Sequence, residues 1–397
     1  MHPIRTLATL GQSVWLDFLN RAMLRSGELE RLIRDDAIAG MTSNPTIFEE
    51  SIAKGTDYDD LIGGAGVEEL DAMVLERIMV RDIRDACDAF RAAWEASGGR
   101  DGLVSVEVAP GLAYDTLGSI DAARRLWAEI ARPNLMVKIP ATREGLLAIE
   151  RCLTDGININ ITLLFSLERY EQVAAAYVRA LETRRCGGLP IDRLVSVASF
   201  FVSRVDTKID PMLDQSKASY ERGMAGIRNA QLAYESYRRL VESPRWRALE
   251  AEGARPQRLL WASTSTKNKA YSDLHYVDAL VAPDTIDTVP KATLRALLDH
   301  GKPEVRIDRD IERARSLVAD LAAAGVDYAR VMQELENEGV RKFEKSYDEA
   351  ITRIGDKRRQ LEEQQPGIGG ENPPKRTEFG DRESARAMTH RELKQIP

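Results

Sequence analysis

The chain has 397 residues, 43% of them apolar and 30% charged, with a formal net charge of −7. That balance belongs to a globular protein with a sizeable core, and the length accommodates either two average domains or one enlarged barrel. The acidic excess gives no reason to expect nucleic acid or an anionic membrane surface as partner, and no run approaches the ~20 apolar residues of a membrane span. Cys87, Cys152 and Cys186 are odd in number and widely spaced, without a Cys-x-x-Cys pair. That pattern predicts a reducing, cytoplasmic setting and not a disulfide framework. The first residues show neither a sustained apolar stretch nor a small-residue cleavage site, so no signal peptide is expected.

Short β-rich segments recur along the chain, most followed by a helical pattern. They are Ser13–Leu19, Ile38–Thr42, Leu103–Val108, Leu135–Ile139, Ile157–Leu164, Leu194–Ala198, Arg258–Ala262, and Ala279–Ala282 taken with Thr285–Thr288. Strands alternating with helices imply βα units and a parallel sheet, and the count predicts a (β/α)8 barrel with additional helices. Helices are predicted from about Val67 to Ala96, with Leu70, Val74, Ile78 and Ile83 toward the core, and over Ile120–Ala131 with Ser119 as cap. Ser166 caps the next, whose stripe is Tyr170, Val173, Ala174 and Tyr177. The stretch Asp206–Pro256 exceeds one barrel helix and predicts an extra helical excursion. Later helices cover about Pro290–Gly301, Asp308–Gly325 and Tyr328–Gln364, the last interrupted at Gly339. Gly63-Gly64-Ala65-Gly66 fails the G-x-G-x-x-G spacing and reads as a turn. From Pro366 the composition turns to Pro, Gly and mixed charge, so residues 1–365 are expected to form the barrel domain and 366–397 a flexible polar tail.

Polar residues inside apolar strand patterns carry the functional signal. A buried unpaired charge costs several kcal/mol, so a sequence keeps one only when it is paired or functional. Asp17, Glu107, Lys138 and the pair Asn160/Thr162 stand in strands, and Asn44 directly follows one. Each lies in or near the C-terminal part of its strand, where barrels build active sites. Taken alone, Lys138 reads as an edge-strand lysine with its stem buried and its head in water. Beside two carboxylates and two polar positions from sister strands, it reads instead as an amine within low-dielectric walls, which gives up its proton readily and can attack a ketone. Asp17 and Glu107 are either structural ion-pair partners or general acid and base. The four histidines are scattered, no H-E-x-x-H appears, and no metal site is expected. Neither a phosphate-binding G-x-x-x-x-G-K-[ST] nor a G-x-S-x-G nucleophile turn is present.

Two stretches resemble the signatures of the transaldolase family, the class I, Schiff-base aldolases. Gly40-Met41-Thr42-Ser43-Asn44-Pro45-Thr46-Ile47-Phe48 is similar to the first, and Leu135 to Leu146, with Lys138-Ile139-Pro140-Ala141-Thr142, to the second. Asn160-Ile161-Thr162-Leu163-Leu164-Phe165-Ser166 resembles the strand that follows, and the likeness runs from about Gly11 to Gly355. The resemblance implies a cofactor-free enzyme of the non-oxidative pentose phosphate pathway acting on sugar phosphates. It would move a dihydroxyacetone unit from sedoheptulose 7-phosphate to glyceraldehyde 3-phosphate, giving erythrose 4-phosphate and fructose 6-phosphate. It also implies roles: Lys138 forms the Schiff base, Glu107 and Thr162 hold a proton-shuttling water, and Asp17 moves the proton of the fourth-carbon hydroxyl. Asn44 and Asn160 bind the three-carbon fragment, and Ser199, Arg204, Ser265 and Lys267 bind phosphate, with Ser263 an alternative to Ser265. Phe200 stands where the family has proline and Ser203 where many relatives have glycine. Two alternatives stay open, a fructose-6-phosphate aldolase-like enzyme and a non-catalytic barrel with a docking tail. The expected assembly is a monomer or homodimer.

Overall fold

The computed structural model describes residues 2–66, 68–214 and 221–364. Met1–Arg358 form one unit and Arg359–Pro397 a second, of which only residues 359–364 are described, as helix. The expected tail at 366–397 lies outside the described residues.

Eight strands carry the first unit: β1 (Gln12–Asp17), β2 (Gly40–Thr42), β3 (Leu103–Glu107), β4 (Leu135–Pro140), β5 (Ile159–Leu164), β6 (Ser196–Phe201), β7 (Arg258–Ala262) and β8 (Thr285–Val289). Each runs parallel to the next and β8 closes on β1, so the expected (β/α)8 barrel is what the chain forms. The strands are buried on both faces apart from the end of β1, so the alternation read in Leu103–Val108 and Ile157–Leu164 does not separate a buried face from an exposed one. Successive side chains point to opposite faces. One set faces the helices; the other fills the interior with Trp15, Leu103, Met136, Val197, Leu260 and Ile286. Trp15 fits only because β2 begins with glycine, since a Cβ at Gly40 would stand 2.5 Å from the indole. Below this layer, Arg258 closes the floor, paired with Asp101 at 3.0 Å and bonded to Ser13.

Several expectations about the elements need correction. Ala279–Ala282 adds no strand, because Ala279 ends the short helix His275–Ala279 and only Thr285–Val289 pairs into the sheet. The helix expected to begin at Ser119 spans Thr116–Ile130, capped by Asp115, while the Ser119 hydroxyl donates to the carbonyl of Leu112. An acid one turn upstream outcompetes the serine because it accepts from the free Gly118 N–H. The long helix expected over Val67–Ala96 is two, Asp71–Ala89 and Arg91–Ala96, and Leu70 is 59% exposed just before the first. Likewise Asp308–Gly325 holds two short helices, Ile311–Arg315 and Leu317–Ala323. The helix Tyr328–Gln364 runs through Gly339 without interruption. By contrast Ser166 caps Leu167–Cys186 as expected, and the long excursion after β6 forms helices Ser203–Asp214, Ala225–Glu242 and Pro244–Glu250.

One strand is irregular where it reaches the mouth. Between Ile161 and Leu164, β5 carries one residue more than β6 opposite it. Leu163, buried there, adopts φ +54°, a left-handed conformation that costs a leucine on the order of 1–2 kcal/mol.

Asp287 of β8 is fully buried and accepts a 2.8 Å hydrogen bond from Thr264, with no cation within ion-pair distance among the described residues. Burial pushes its carboxyl up to about 7. The folded chain thus holds a proton that the unfolded chain releases near pH ~4, and stability falls as pH rises through the window from about 4 to about 7. Asp287→Asn keeps an acceptor for Thr264 without the charge. It is expected to melt a few degrees above the parent at about pH 8, an advantage that shrinks toward about pH 5. Thermal melts at both pH values check it.

Candidate active site

At the C-terminal mouth of the barrel lies a cavity of about 320 Å³, lined by Asp17, Asn44, Lys138, Thr162 and Ser199 in its depth and Arg204, Ser265, Lys267 and Lys342 among its other walls. The strand register assembles the deep part. Glu107 is the partner of Lys138, and Lys138 of Asn160, so three strands set these side chains at one level. Asp17 is likewise the partner of Thr42, and Thr42 of Ser105.

Lys138 is only 5% exposed and Glu107 3%. The Lys138 Nζ donates to the carbonyl of Ser43 at 3.0 Å and lies 3.4 Å from Glu107 Oε2. Burial raises the Glu107 carboxyl above its ordinary value, opposed chiefly by Lys138. Its second oxygen, Oε1, and the hydroxyl of Thr162 are both buried without a hydrogen-bond partner among the described residues. Asp17 Oδ1 accepts from Thr42 at 2.8 Å and from the Asn44 amide at 3.3 Å. Burial also raises the Asp17 carboxyl, with Lys138 the largest opposing influence. Asn44 is doubly committed, because its side-chain oxygen caps the helix Pro45–Lys54 through the Ile47 N–H. Asn160 is enclosed completely, donating to Ser105 at 2.9 Å and accepting from Ser199 at 2.6 Å.

The outer part is cationic. Arg204 stacks its guanidinium over Phe201 at 5.0 Å and Phe343 at 5.8 Å. No carboxylate lies within ion-pair distance of Arg204, Lys267 or Lys342 among the described residues. Burial, then repulsion from Arg204 and Lys267, lowers the Lys342 ammonium below its ordinary value, so the three charges feel one another across the mouth. Cations left unpaired around a cavity favour an anionic ligand group.

A family model described as Transaldolase/Fructose-6-phosphate aldolase matches residues 14–354. The chain is 46% identical over 357 residues to a protein named Transaldolase from Parafrankia sp. (strain EAN1pec), across 89% of this chain and 97% of that one. A Transaldolase from Saccharopolyspora erythraea is 47% identical over 360 residues, 88% of this chain and 96% of its own. One from Thiobacillus denitrificans (strain ATCC 25259 / T1) is 45% identical over 360 residues, 89% of this chain and all of its own. The chain belongs to the transaldolase/fructose-6-phosphate aldolase family.

Within this family member, the residues singled out from the sequence converge on one place. Asp17, Asn44, Lys138, Thr162, Ser199, Arg204, Ser265 and Lys267 line the cavity, and Glu107 and Asn160 stand directly behind Lys138 and Ser199. The Ser199 hydroxyl joins the interior network, donating to Asn160 at 2.6 Å. The serine ambiguity also acquires a geometry. Ser263, at φ +57°, shares a 3.0 Å hydrogen bond with Ser203, whereas Ser265 accepts from Lys267 at 3.1 Å. A serine at position 203 thus anchors one loop to the other.

Sequence reasoning missed Thr42, Ser105, Thr288, Lys342 and Phe343. Thr42 bonds Asp17 and Thr288, and lies inside the first signature. Ser105 stands two residues before Glu107, on the same strand face, which alternation could have flagged. Lys342 and Phe343 carried no signal, because the cavity groups they meet, Arg204 and Lys267 among them, are distant in the chain.

The raised carboxyls set a pH dependence. A base must be ionised to accept a proton, so activity is lost on acidification through groups titrating above the ordinary carboxylate range. A pH profile of kcat/KM is expected to show its acid limb clearly above pH ~4, and a limb at or below that value would contradict the raised direction.

Proposed function

We propose that the chain is a transaldolase working through a Schiff base on Lys138. The observation that carries the reading is an enclosed amine with Glu107 at 3.4 Å on one side and Asp17 in the same cavity. The neutral amine attacks the donor ketone at the second carbon. Glu107, through a water shared with Thr162, returns the proton that lets hydroxide depart as water, leaving an iminium. The two unpartnered buried oxygens of Glu107 and Thr162 suit that duty. Asp17 then takes the proton of the fourth-carbon hydroxyl, the bond between carbons three and four breaks, and its electrons pass into the iminium to give an enamine. The aldose product leaves, glyceraldehyde 3-phosphate enters, and the enamine carbon attacks its aldehyde while Asp17 returns the proton. Hydrolysis, the reverse of the first steps, frees fructose 6-phosphate and Lys138.

Asn44 and the Asn160–Ser199 pair bind the hydroxyls of the three-carbon fragment, a role that moves Ser199 away from phosphate. Arg204, Ser265 and Lys267 take the phosphate, with Lys342 adding a third positive charge. Arg204 offers a bidentate fork, whereas the lysines act as point charges. A raised carboxyl at Asp17 fits a group that must alternately accept and donate a proton. We read the setting as cytoplasmic, supported by three cysteines none of which is bridged. No helix among the described residues is long and apolar enough to cross a membrane. Residues 1–365 as the barrel domain, and a monomer or homodimer as the assembly, complete the reading.

An assay with sedoheptulose 7-phosphate, run with and without glyceraldehyde 3-phosphate, tests it. Erythrose 4-phosphate is expected to accumulate in turnover amounts only when the acceptor is present. Sustained release without acceptor would favour a fructose-6-phosphate aldolase-like activity. Lys138→Ala is expected to abolish both reactions, and Glu107→Ala to lower kcat by about 100-fold or more, since it removes a proton-transfer group.

A further inference from the structure

The helix Tyr328–Gln364 brings Phe343 and Lys342 to the cavity, and one residue sets how closely it can lie. Gly339 is buried in the middle of this helix, where glycine is ordinarily disfavoured. A Cβ built there would come within 2.9 Å of Leu163 Cδ2 and 3.6 Å of Arg204 Nη1. Leu163 is the left-handed residue of the β5 bulge, immediately after Thr162. It is buried in one cluster with Phe165, Phe201, Val340 and Phe343, so its side chain has little freedom to retreat. Strained backbone of this kind persists where the surroundings hold it, and here the surroundings include the helix.

From this geometry we propose that Gly339 is a positioning residue for phosphorylated substrates, an inference that rests on the transaldolase reading above. The missing side chain lets the helix settle on Leu163, which fixes Phe343 against the Arg204 guanidinium and Lys342 beside the same cavity. A methyl group at 339 must displace either the Leu163 side-chain tip or the helix, the latter loosening the cationic mouth. Because the buried cluster around Leu163 restrains the leucine, the displacement falls on the helix. The defect therefore falls on recognition of the phosphate end and not on Lys138.

The test is Gly339→Ala in the full chain, compared with Leu163→Ala and the double variant. In Gly339→Ala, KM for fructose 6-phosphate as donor is expected to rise about tenfold, with inhibition by inorganic phosphate weakened in step and kcat held within about twofold. Turnover of unphosphorylated fructose is expected to stay at the parent's level, because no phosphate is read. Leu163→Ala opens the contact, so the double variant is expected to recover most of the KM. A Gly339→Ala enzyme with unchanged KM, a loss confined to kcat, or a double variant as impaired as the single one would overturn the inference. If Gly339→Ala alone fails to fold, refolding in the double variant supports the same contact and continued failure refutes it. An inactive parent enzyme would instead refute the transaldolase reading itself.

Discussion

The contact between Lys138 and Glu107, 3.4 Å apart and almost wholly enclosed, constrains much of what surrounds it. Taking an amine and a carboxyl group out of water is costly, and their contact offsets that only when the other hydrogen-bonding positions are satisfied. The Ser43 carbonyl supplies one partner for the amine, which ties the first signature to the second. Ser43 is in turn held by its own hydroxyl on the carbonyl of Ser105, and Ser105 orients Asn160. The motif residues around Lys138 are therefore one connected support, and the barrel's register is what makes it possible.

Charge is distributed along the cavity in a way that fits a substrate with two different ends. The deep part holds acids and neutral hydrogen-bonding groups, with the amine among them. The outer part holds three cations and two aromatic faces. A sugar phosphate has matching polarity, with its ketone and hydroxyls at one end and its dianion at the other. Separating the acids from the cations also keeps Arg204 from simply pairing with Asp17 or Glu107, although both carboxylates favour its charge.

Much of the deep site was legible because strand chemistry is local. A lysine, a glutamate and an aspartate inside apolar runs are visible in any single segment, and the parallel barrel brings strand ends together without further information. Strand edges shifted by up to three residues, and Ala279–Ala282 looked like a strand only because its apolar run was too short to tell from buried helix and loop. Capping by Asp115 instead of Ser119 was a competition between two good caps that composition does not decide. The outer site was harder to see. Lys342 and Phe343 lie on a polar-looking helix, and their relation to Arg204 exists only after the chain has folded back across about a third of its length. Gly339 looked like a break in that helix, whereas it is a place where the helix packs directly on Leu163 of β5.

The most direct measurement of the central claim is covalent trapping. Borohydride added with fructose 6-phosphate is expected to leave one reduced dihydroxyacetone adduct, which peptide mass spectrometry places on the segment containing Lys138. Asp17→Ala is expected to form adduct with intact donor but not to turn over, because that residue acts after the iminium. An adduct on Lys267 or Lys208, or none at all in an enzyme that turns over, would contradict the account.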